Sequence, residues 1–215
     1  MPTMTERLEE NRRKGKARLA PEITAAMLAA TENLAASGIQ DRTLKTGDRM
    51  PAFALPNAAG DTVTSEQLLD RGRLVINFYR GGWCSYCNIE MRALQERHGE
   101  IEALDATLVA IAPELPTKAE ATRAQNDLTH EVLSDAGNAV SRQFGLVFTL
   151  PESIREIYAG MGIDLPDFNG GDTFELPVPA TYVVDREGTV LEALADPDYR
   201  KCLDVEDILA TLKSA

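Results

Sequence analysis

Metal-ligating residue types are scarce in this chain, which has three cysteines and two histidines among 215 residues. A structural zinc site wants four ligands, typically as two knuckle pairs. Only one close Cys pair is present, Cys202 stands alone, and His98 and His130 fall at no ligand spacing. A zinc knuckle is therefore excluded, and no metal is expected. Long apolar runs are also missing: "LVINFY" and "TLVAIA" are far too short to span a membrane. The opening "MPTMTERLEENRRKGKARL" mixes both charge signs and lacks the apolar centre of a secretion signal. Positive charge is in deficit: 22 Lys and Arg against 34 Asp and Glu give a net charge of −12. That balance argues against nucleic acid or an anionic membrane as partner. Internal repeats and low-complexity tracts are absent. With 44% hydrophobic and 26% charged residues, the chain is expected to be a soluble, cytoplasmic protein able to bury a core.

Two parts are expected, a helical arm over residues 1–45 and an α/β domain over residues 46–215. In the arm, Ile23, Met27, Ala30 and Leu34 form an apolar stripe at helical spacing, opened by Pro21-Glu22 and closed by Ser37-Gly38. Such a helix either packs on its own domain or contacts a second subunit, and both readings stay open. "AFALPNAAGDTVTSEQLL" reads as a hairpin followed by a helical turn capped by Ser65. "RLVINFYR" reads as a strand buried on both faces, and a single helix is expected from about Ser85 through Leu104. Further strands at "ATLVAIAP" and "HEVLSD" alternate with helices, the pattern of a parallel sheet with right-handed crossovers. "LPESIREIYAGMG" is helical, with Ile154, Ile157, Tyr158 and Met161 on one side. "IDLPDFNGGDTFELP" is expected to be a long loop, functional or mobile. "VPATYVVDREGTVLEAL" is a hairpin, and "DVEDILATLKS" a last helix.

Chemistry concentrates in "FYRGGWCSYCNIE", from Phe78 to Glu90. In a reducing cytosol a close Cys pair is more often catalytic or metal-binding than a structural staple. Cys84 and Cys87 sit where a strand turns into a helix, so unpaired N–H groups and the positive dipole end stabilise a thiolate. A cysteine so placed falls from a pKa of about 8.5 to roughly 3.5–7.5, and the thiolate is the attacking form. Gly81 and Gly82 are expected to free the turn and leave the site open. Trp83 and Tyr86 shape an apolar rim around the sulfurs, or simply pack. His98 and His130 are expected at the surface.

"WCSYC" followed by a helix, with "VPATYVVD" downstream, resembles the thioredoxin-fold superfamily. The wider frame, "GDRMPAFALPNAAGDTVTSEQLL", "LVINFYR" and "VLSDAGNAVSRQFGL", resembles the peroxiredoxins from about Lys45 to the C-terminus, in the group that carries a CxxC motif. The arm and "IYAGMGIDLPDFNGGDTFE" lie outside a minimal member. The resemblance implies a thioredoxin-like α/β fold with a central sheet and flanking helices, and a cis peptide bond between Val178 and Pro179 facing the cysteines. It implies a redox-active Cys84–Cys87 disulfide and no other cofactor.

Two alignments assign the sulfurs differently. Matching "WCxxC" makes Cys84 the nucleophile and Cys87 the resolving thiol. Counting from "NFYR" puts the peroxidatic position on Cys87, with Cys84 in place of the family threonine. Glu90 then matches the family's acidic residue. Ala180 occupies the family arginine position, and Arg80 either substitutes for that arginine or is a surface charge. Cys202 is either a distant resolving thiol or an ordinary residue at a helix entry. The favoured expectation is hydroperoxide reduction in which Cys87 attacks and Cys84 resolves, recycled by a thioredoxin- or glutathione-type reductant. The alternatives are thiol–disulfide exchange on protein substrates with Cys84 attacking, and a non-enzymatic redox sensor working through partner contacts. A homodimer is a possible assembly.

Overall fold

The structure, a computed structural model, describes residues 2–215. Three helices open it: α1 (Met4–Arg18), α2 (Pro21–Ala36) and the single turn α3 (Ile39–Arg42). Thr3 and Glu6 close a capping box on α1, and Pro21 occupies the first turn of α2. A hairpin of β1 (Ala54–Pro56) and β2 (Thr62–Thr64) leads into α4 (Ser65–Leu69). The alternating body follows as β3 (Arg73–Phe78), α5 (Ser85–Glu96), α6 (His98–Ala103), β4 (Ala106–Ala112), α7 (Pro116–Gln125), β5 (Glu131–Ser134) and α8 (Ala139–Gln143). Next come β6 (Val147–Thr149), α9 (Glu152–Gly160), α10 (Leu165–Asn169) and β7 (Glu175–Pro177). The hairpin β8 (Ala180–Val184) and β9 (Val190–Ala195), then α11 (Val205–Ser214), complete the chain. Among the described residues no helix is long and apolar enough to cross a membrane.

The central sheet has the order β5-β4-β3-β8-β9. β3, β4 and β5 run parallel, while β8 and β9 are antiparallel. Side chains alternate between faces along a strand. Leu74, Ile76 and Phe78 of β3 accordingly join Phe144 and Tyr182 on one face, and Val75 joins Leu94, Ile101 and Ile208 on the other. Being central, β3 is covered on both sides, and its C-terminal end delivers the chain to the cysteine turn.

Several expectations are corrected. The Val178–Pro179 peptide is trans, as are all described peptide bonds. Val178 N–H donates to Leu146 O at 2.9 Å, and Ala180 pairs directly with Phe78. The chain thus runs from β7 into β8 without the reversal that a cis bond serves. Thr64, not Ser65, caps α4, because Ser65 Oγ turns inward to accept the Phe53 N–H at 3.0 Å. The single helix expected through Leu104 breaks at Arg97, whose φ of −111° and ψ of 8° end α5. Gly99, a poor helix former, follows two residues later. The expected long loop holds a strand and a helix. Asp164 caps α10 by accepting the Asp167 N–H at 3.2 Å, and β7 pairs with β6. Gly170 ends α10 at φ +73°, where a Cβ would stand 2.7 Å from Leu115 Cδ2.

The arm packs on its own chain. Met4 and Leu8 are buried in the cluster that includes Leu94 and Ile208. Arg7 pairs with Glu96 at 2.6 Å, and Asn11 donates to Ser85 Oγ at 3.0 Å. Met27 and Ala30 of α2 rest against the α9 cluster of Ile154 and Tyr158.

Candidate active site

Beyond Phe78, Tyr79 N–H still donates to Ile111 O at 3.0 Å, and the chain then turns through Gly81 and Gly82. These glycines do not leave the site open, because the turn is too crowded for any side chain. At Gly81, φ is +144° and a Cβ would lie 2.3 Å from Trp83 Nε1; at Gly82 it would lie 2.1 Å from Thr122 Oγ1. Glu114 fixes the turn from below. It accepts from Gly82 N–H at 2.7 Å, Tyr79 OH at 3.0 Å and Thr122 Oγ1 at 3.0 Å. Asn88 holds the other side, donating to Gly82 O at 2.7 Å. Burial raises the Glu114 carboxyl above its ordinary pKa. Sequence reasoning missed Glu114, although an acid just past the C-terminal end of a parallel strand is a usable signal.

Cys84 is the N-cap residue of α5, and Cys87 lies in the helix's first turn. Both are reduced and buried. The Cys87 thiol points at the Cys84 sulfur and lowers its pKa; burial opposes this, and the Arg80 charge and the N–H groups of Cys87 and Tyr86 add to it. The balance brings Cys84 down to about 6. Cys87 moves the opposite way, raised by its hydrogen bond to Cys84, by burial and by the Cys84 charge. One sulfur is therefore poised as a thiolate and its neighbour as the thiol that donates to it. Cys84 lines the adjoining cleft, together with Trp83 and Tyr86.

Arg80 is not a surface charge. Only 2% of it is exposed, and no carboxylate pairs with it among the described residues. Its guanidinium instead lies 4.8 Å from the Trp83 ring centre, 5.6 Å from Tyr158 and 4.4 Å from Tyr199. It also donates to the Tyr158 hydroxyl. Burial disfavours the charge, but Tyr158, Cys84 and Cys87 outweigh it, and the pKa rises. Arg80 Nε and Trp83 Nε1 remain buried donors without partners. Tyr158 and Tyr199 were not among the residues picked out for the site, since they come from α9 and the segment before α11.

Glu90, on the buried face of α5, accepts from Thr181 Oγ1 at 3.0 Å, while Asn77 donates to that hydroxyl at 3.1 Å. Burial raises the Glu90 pKa. Cys202 lies against Glu90, and burial and that carboxylate together push its thiol well up. Pro179 is buried and lines a smaller cavity beside Arg80. His98 is partly buried, and His130, expected outside, is 6% exposed. The two rings meet edge to face at 5.5 Å, and His130 Nδ1 is 3.1 Å from Gln95 Oε1. Among the described residues no cluster of His, Cys, Asp or Glu could hold a metal ion.

The crowded strand-to-helix turn and its dithiol lie inside the span that a family comparison matches. The model of the AhpC/TSA family matches residues 46–193. The chain belongs to that family. It is 26% identical to a putative peroxiredoxin of Mycobacterium tuberculosis over 150 residues, 70% of this chain and 84% of the relative. Its identity to peroxiredoxin Bcp of Escherichia coli is also 26%, over 103 residues, 48% of this chain and 65% of the relative. Among solved structures, peroxidoxin BcpB of Mycobacterium tuberculosis superimposes with a TM-score of 0.63 at 23% identity, covering 80% of this chain and 97% of that one. This family member is a peroxiredoxin-like protein of thioredoxin fold.

Proposed function

We propose that the chain reduces hydroperoxides through Cys84 and Cys87, with Cys84 as the attacking thiolate. As a peroxiredoxin-like member of the AhpC/TSA family it is a thiol-dependent oxidoreductase. The observation that carries the choice of sulfur is the cleft-lining Cys84, brought to a pKa of about 6 by the Cys87 thiol and the buried Arg80. This reverses the favoured sequence expectation, which had Cys87 attack.

The Cys84 thiolate attacks the terminal oxygen of ROOH, the O–O bond breaks, and the departing alkoxide takes a proton to leave as ROH. Cys84 becomes a sulfenic acid, oxidised by two electrons. Cys87 loses its proton, attacks the Cys84 sulfur and expels the sulfenic oxygen as water, leaving a Cys84–Cys87 disulfide. A dithiol of thioredoxin type, or glutathione, restores the pair by exchange. The unpartnered Arg80 Nε and Trp83 Nε1 lie on cleft-lining residues and supply donors for the peroxide oxygens. Such preorganised donors contribute most where water is excluded. Cys202 lies against Glu90, where burial and the carboxylate push its thiol up, and the resolving role is assigned to Cys87.

Stopped-flow oxidation of the single-cysteine variants tests the order. Cys87→Ser is expected to consume one equivalent of hydrogen peroxide and retain a dimedone-reactive sulfenic acid on Cys84, and Cys84→Ser to lose rapid oxidation. If the sulfenic acid instead forms quickly on Cys87 of the Cys84→Ser variant, the assignment is reversed. If neither variant nor the wild type reacts with peroxide but the dithiol reduces a protein disulfide, the exchange reading replaces it.

A further inference from the structure

The two sulfurs differ in their access to solvent. Cys84 lines the cleft, whereas Cys87 does not and is 1% exposed. Cys87 has to lose a proton before it attacks, because the thiolate and not the thiol is the nucleophile. Arg80, whose charge acts on Cys87, has only donors to offer. The proton therefore needs an acceptor inside the protein.

Tyr79 and Glu114 lie together on that side of the sulfur. Tyr79, just beyond β3, is fully buried in the cluster that holds Cys87, Met91 and Ala110. Burial, Glu114 and the Cys87 charge all raise its pKa. Its hydroxyl donates to Glu114 Oε2 at 3.0 Å. Glu114 is fully buried and has no ion-pair partner among the described residues. Its three donors, the Gly82 N–H and the Tyr79 and Thr122 hydroxyls, are all neutral. From α7 the Lys118 charge lowers its pKa, but burial outweighs this, and Lys118 pairs with Asp167. From β5 the Ser134 hydroxyl meets only its backbone carbonyl. A neutral glutamine amide would hold the Gly82 N–H as well, without burying a carboxyl among uncharged groups. What the carboxyl adds is a place for a proton. Glu90, the other buried carboxyl near α5, is turned to Thr181 and Cys202.

We propose that Glu114 is the proton acceptor for Cys87, reached through the Tyr79 hydroxyl. The role rests on the reading in which Cys84 attacks and Cys87 resolves. Cys87 Sγ passes its proton to the Tyr79 oxygen as Tyr79 passes its own to Glu114 Oε2. The freed electron pair of Cys87 forms the bond to the Cys84 sulfur. The Cys84 S–O bond breaks, and its pair leaves on hydroxide, which solvent in the cleft protonates. Cys87 is oxidised as the sulfenic sulfur is reduced. Glu114 then returns its proton to solvent, so a thiol and a sulfenic acid have become a disulfide and water.

Dithiobis(nitrobenzoate), an aromatic disulfide, isolates this proton, because each half leaves as a coloured thiolate and needs none. Cys84 releases the first thiolate at a rate set by reagent concentration, and closure by Cys87 releases the second at a rate independent of it. In stopped flow the wild type is expected to release both, the second phase levelling off as pH rises past the raised pKa of Glu114. Glu114→Gln keeps an oxygen for the Gly82 N–H but takes no proton. Tyr79→Phe leaves that contact intact, and carries the test where Glu114→Gln does not fold. In both, the first phase should stay within about twofold of wild type, and the second should slow at least about tenfold at pH 7. With hydroxide left as the base, the slowed phase should climb about tenfold per pH unit. Equal slowing of both phases makes Glu114 a structural clamp alone and overturns the proposal. An unchanged second phase in either variant overturns it too, as does a second phase lost in Glu90→Gln but retained in Glu114→Gln. Slowing confined to the first phase overturns both the acceptor and the assignment of Cys84 as attacking sulfur. Should the wild type close its disulfide with this reagent as expected yet ignore hydrogen peroxide, the peroxidase reading falls and the proton acceptor stands.

Discussion

At the scale of single residues, the site turns on a buried cation with no carboxylate beside it. Three aromatic rings around Arg80 offset part of its desolvation, but such contacts contribute only about 2 kcal/mol or a little more even when dry. The remaining favourable field comes from the Tyr158 hydroxyl and from the Cys84 and Cys87 sulfurs, and because Arg80 in turn lowers the Cys84 pKa, the charge of one and the acidity of the other belong together. Arg80→Gln separates two roles of the guanidinium. Loss of its field is expected to raise the pH midpoint of Cys84 alkylation from about 6 by about one unit, so alkylation at pH 7 falls only about twofold. Oxidation by hydrogen peroxide should fall by at least about tenfold, because a donor to the breaking O–O bond is lost as well. Parallel pH–rate profiles with iodoacetamide and peroxide measure both. Equal losses with the two reagents would confine Arg80 to tuning the thiol.

At the scale of elements, the arm shows how charge and burial divide a docking contact. Side chains of Arg7 and Glu96 remain 23% and 44% exposed, and such a pair contributes about 0–1 kcal/mol. Leu8, 9% exposed within an apolar cluster, is held by burial, and truncation of a buried leucine costs about 2 kcal/mol or more. Leu8→Ala should therefore loosen α1 more than Arg7→Ala. Amide hydrogen exchange over residues 4–18 checks this, and greater loss of protection in Arg7→Ala would overturn the ranking. Elements were legible in the sequence where burial imposes a pattern: β3 and β4 read as unbroken apolar runs, and β8–β9 as a hairpin around Asp185-Arg186-Glu187-Gly188. The start of α5 was legible because the cysteines had chemistry only at a helix N-terminus. The break at Arg97 was hidden because Ile101 and Leu104 continue the helical spacing across it. α10 was hidden because Asp, Pro and Gly, which cap it, are also the residues of irregular loops. The interior of Arg80 and His130 was illegible for another reason. What buries them comes from distant parts of the chain, Tyr158 and Tyr199 in one case and Gln95 and His98 in the other.

At the scale of the whole molecule, acid stability sets two effects against each other. From neutral pH toward the isoelectric point near 4.7, the net charge of −12 relaxes, and relief of self-repulsion favours the compact state. His130 acts in the opposite direction. Burial, with a smaller contribution from the His98 charge, holds its pKa near 3 in the folded chain, against about 6.5 when unfolded. A histidine kept neutral by folding leaves the unfolded state binding more protons between those values, so stability falls as pH drops through that window. Between pH 6.5 and 4 the loss amounts to about 3 kcal/mol for this one group. Glu90 and Glu114 have raised pKa values, so below them they take up protons in the folded state first and offset part of that loss. Salt separates the contributions, because it screens surface repulsion and leaves a buried imidazole nearly untouched. Urea unfolding at 0.5 M salt should therefore show the wild type losing stability on acidification from pH 6.5 to 4. His130→Gln, which keeps a polar amide near Gln95 but cannot titrate, should start less stable at pH 7 and follow a flatter curve, the two converging toward pH 4. Curves of identical slope would mean that His130 protonates in the folded protein at its ordinary pKa, which the packing of the His98 ring against it would then have to admit.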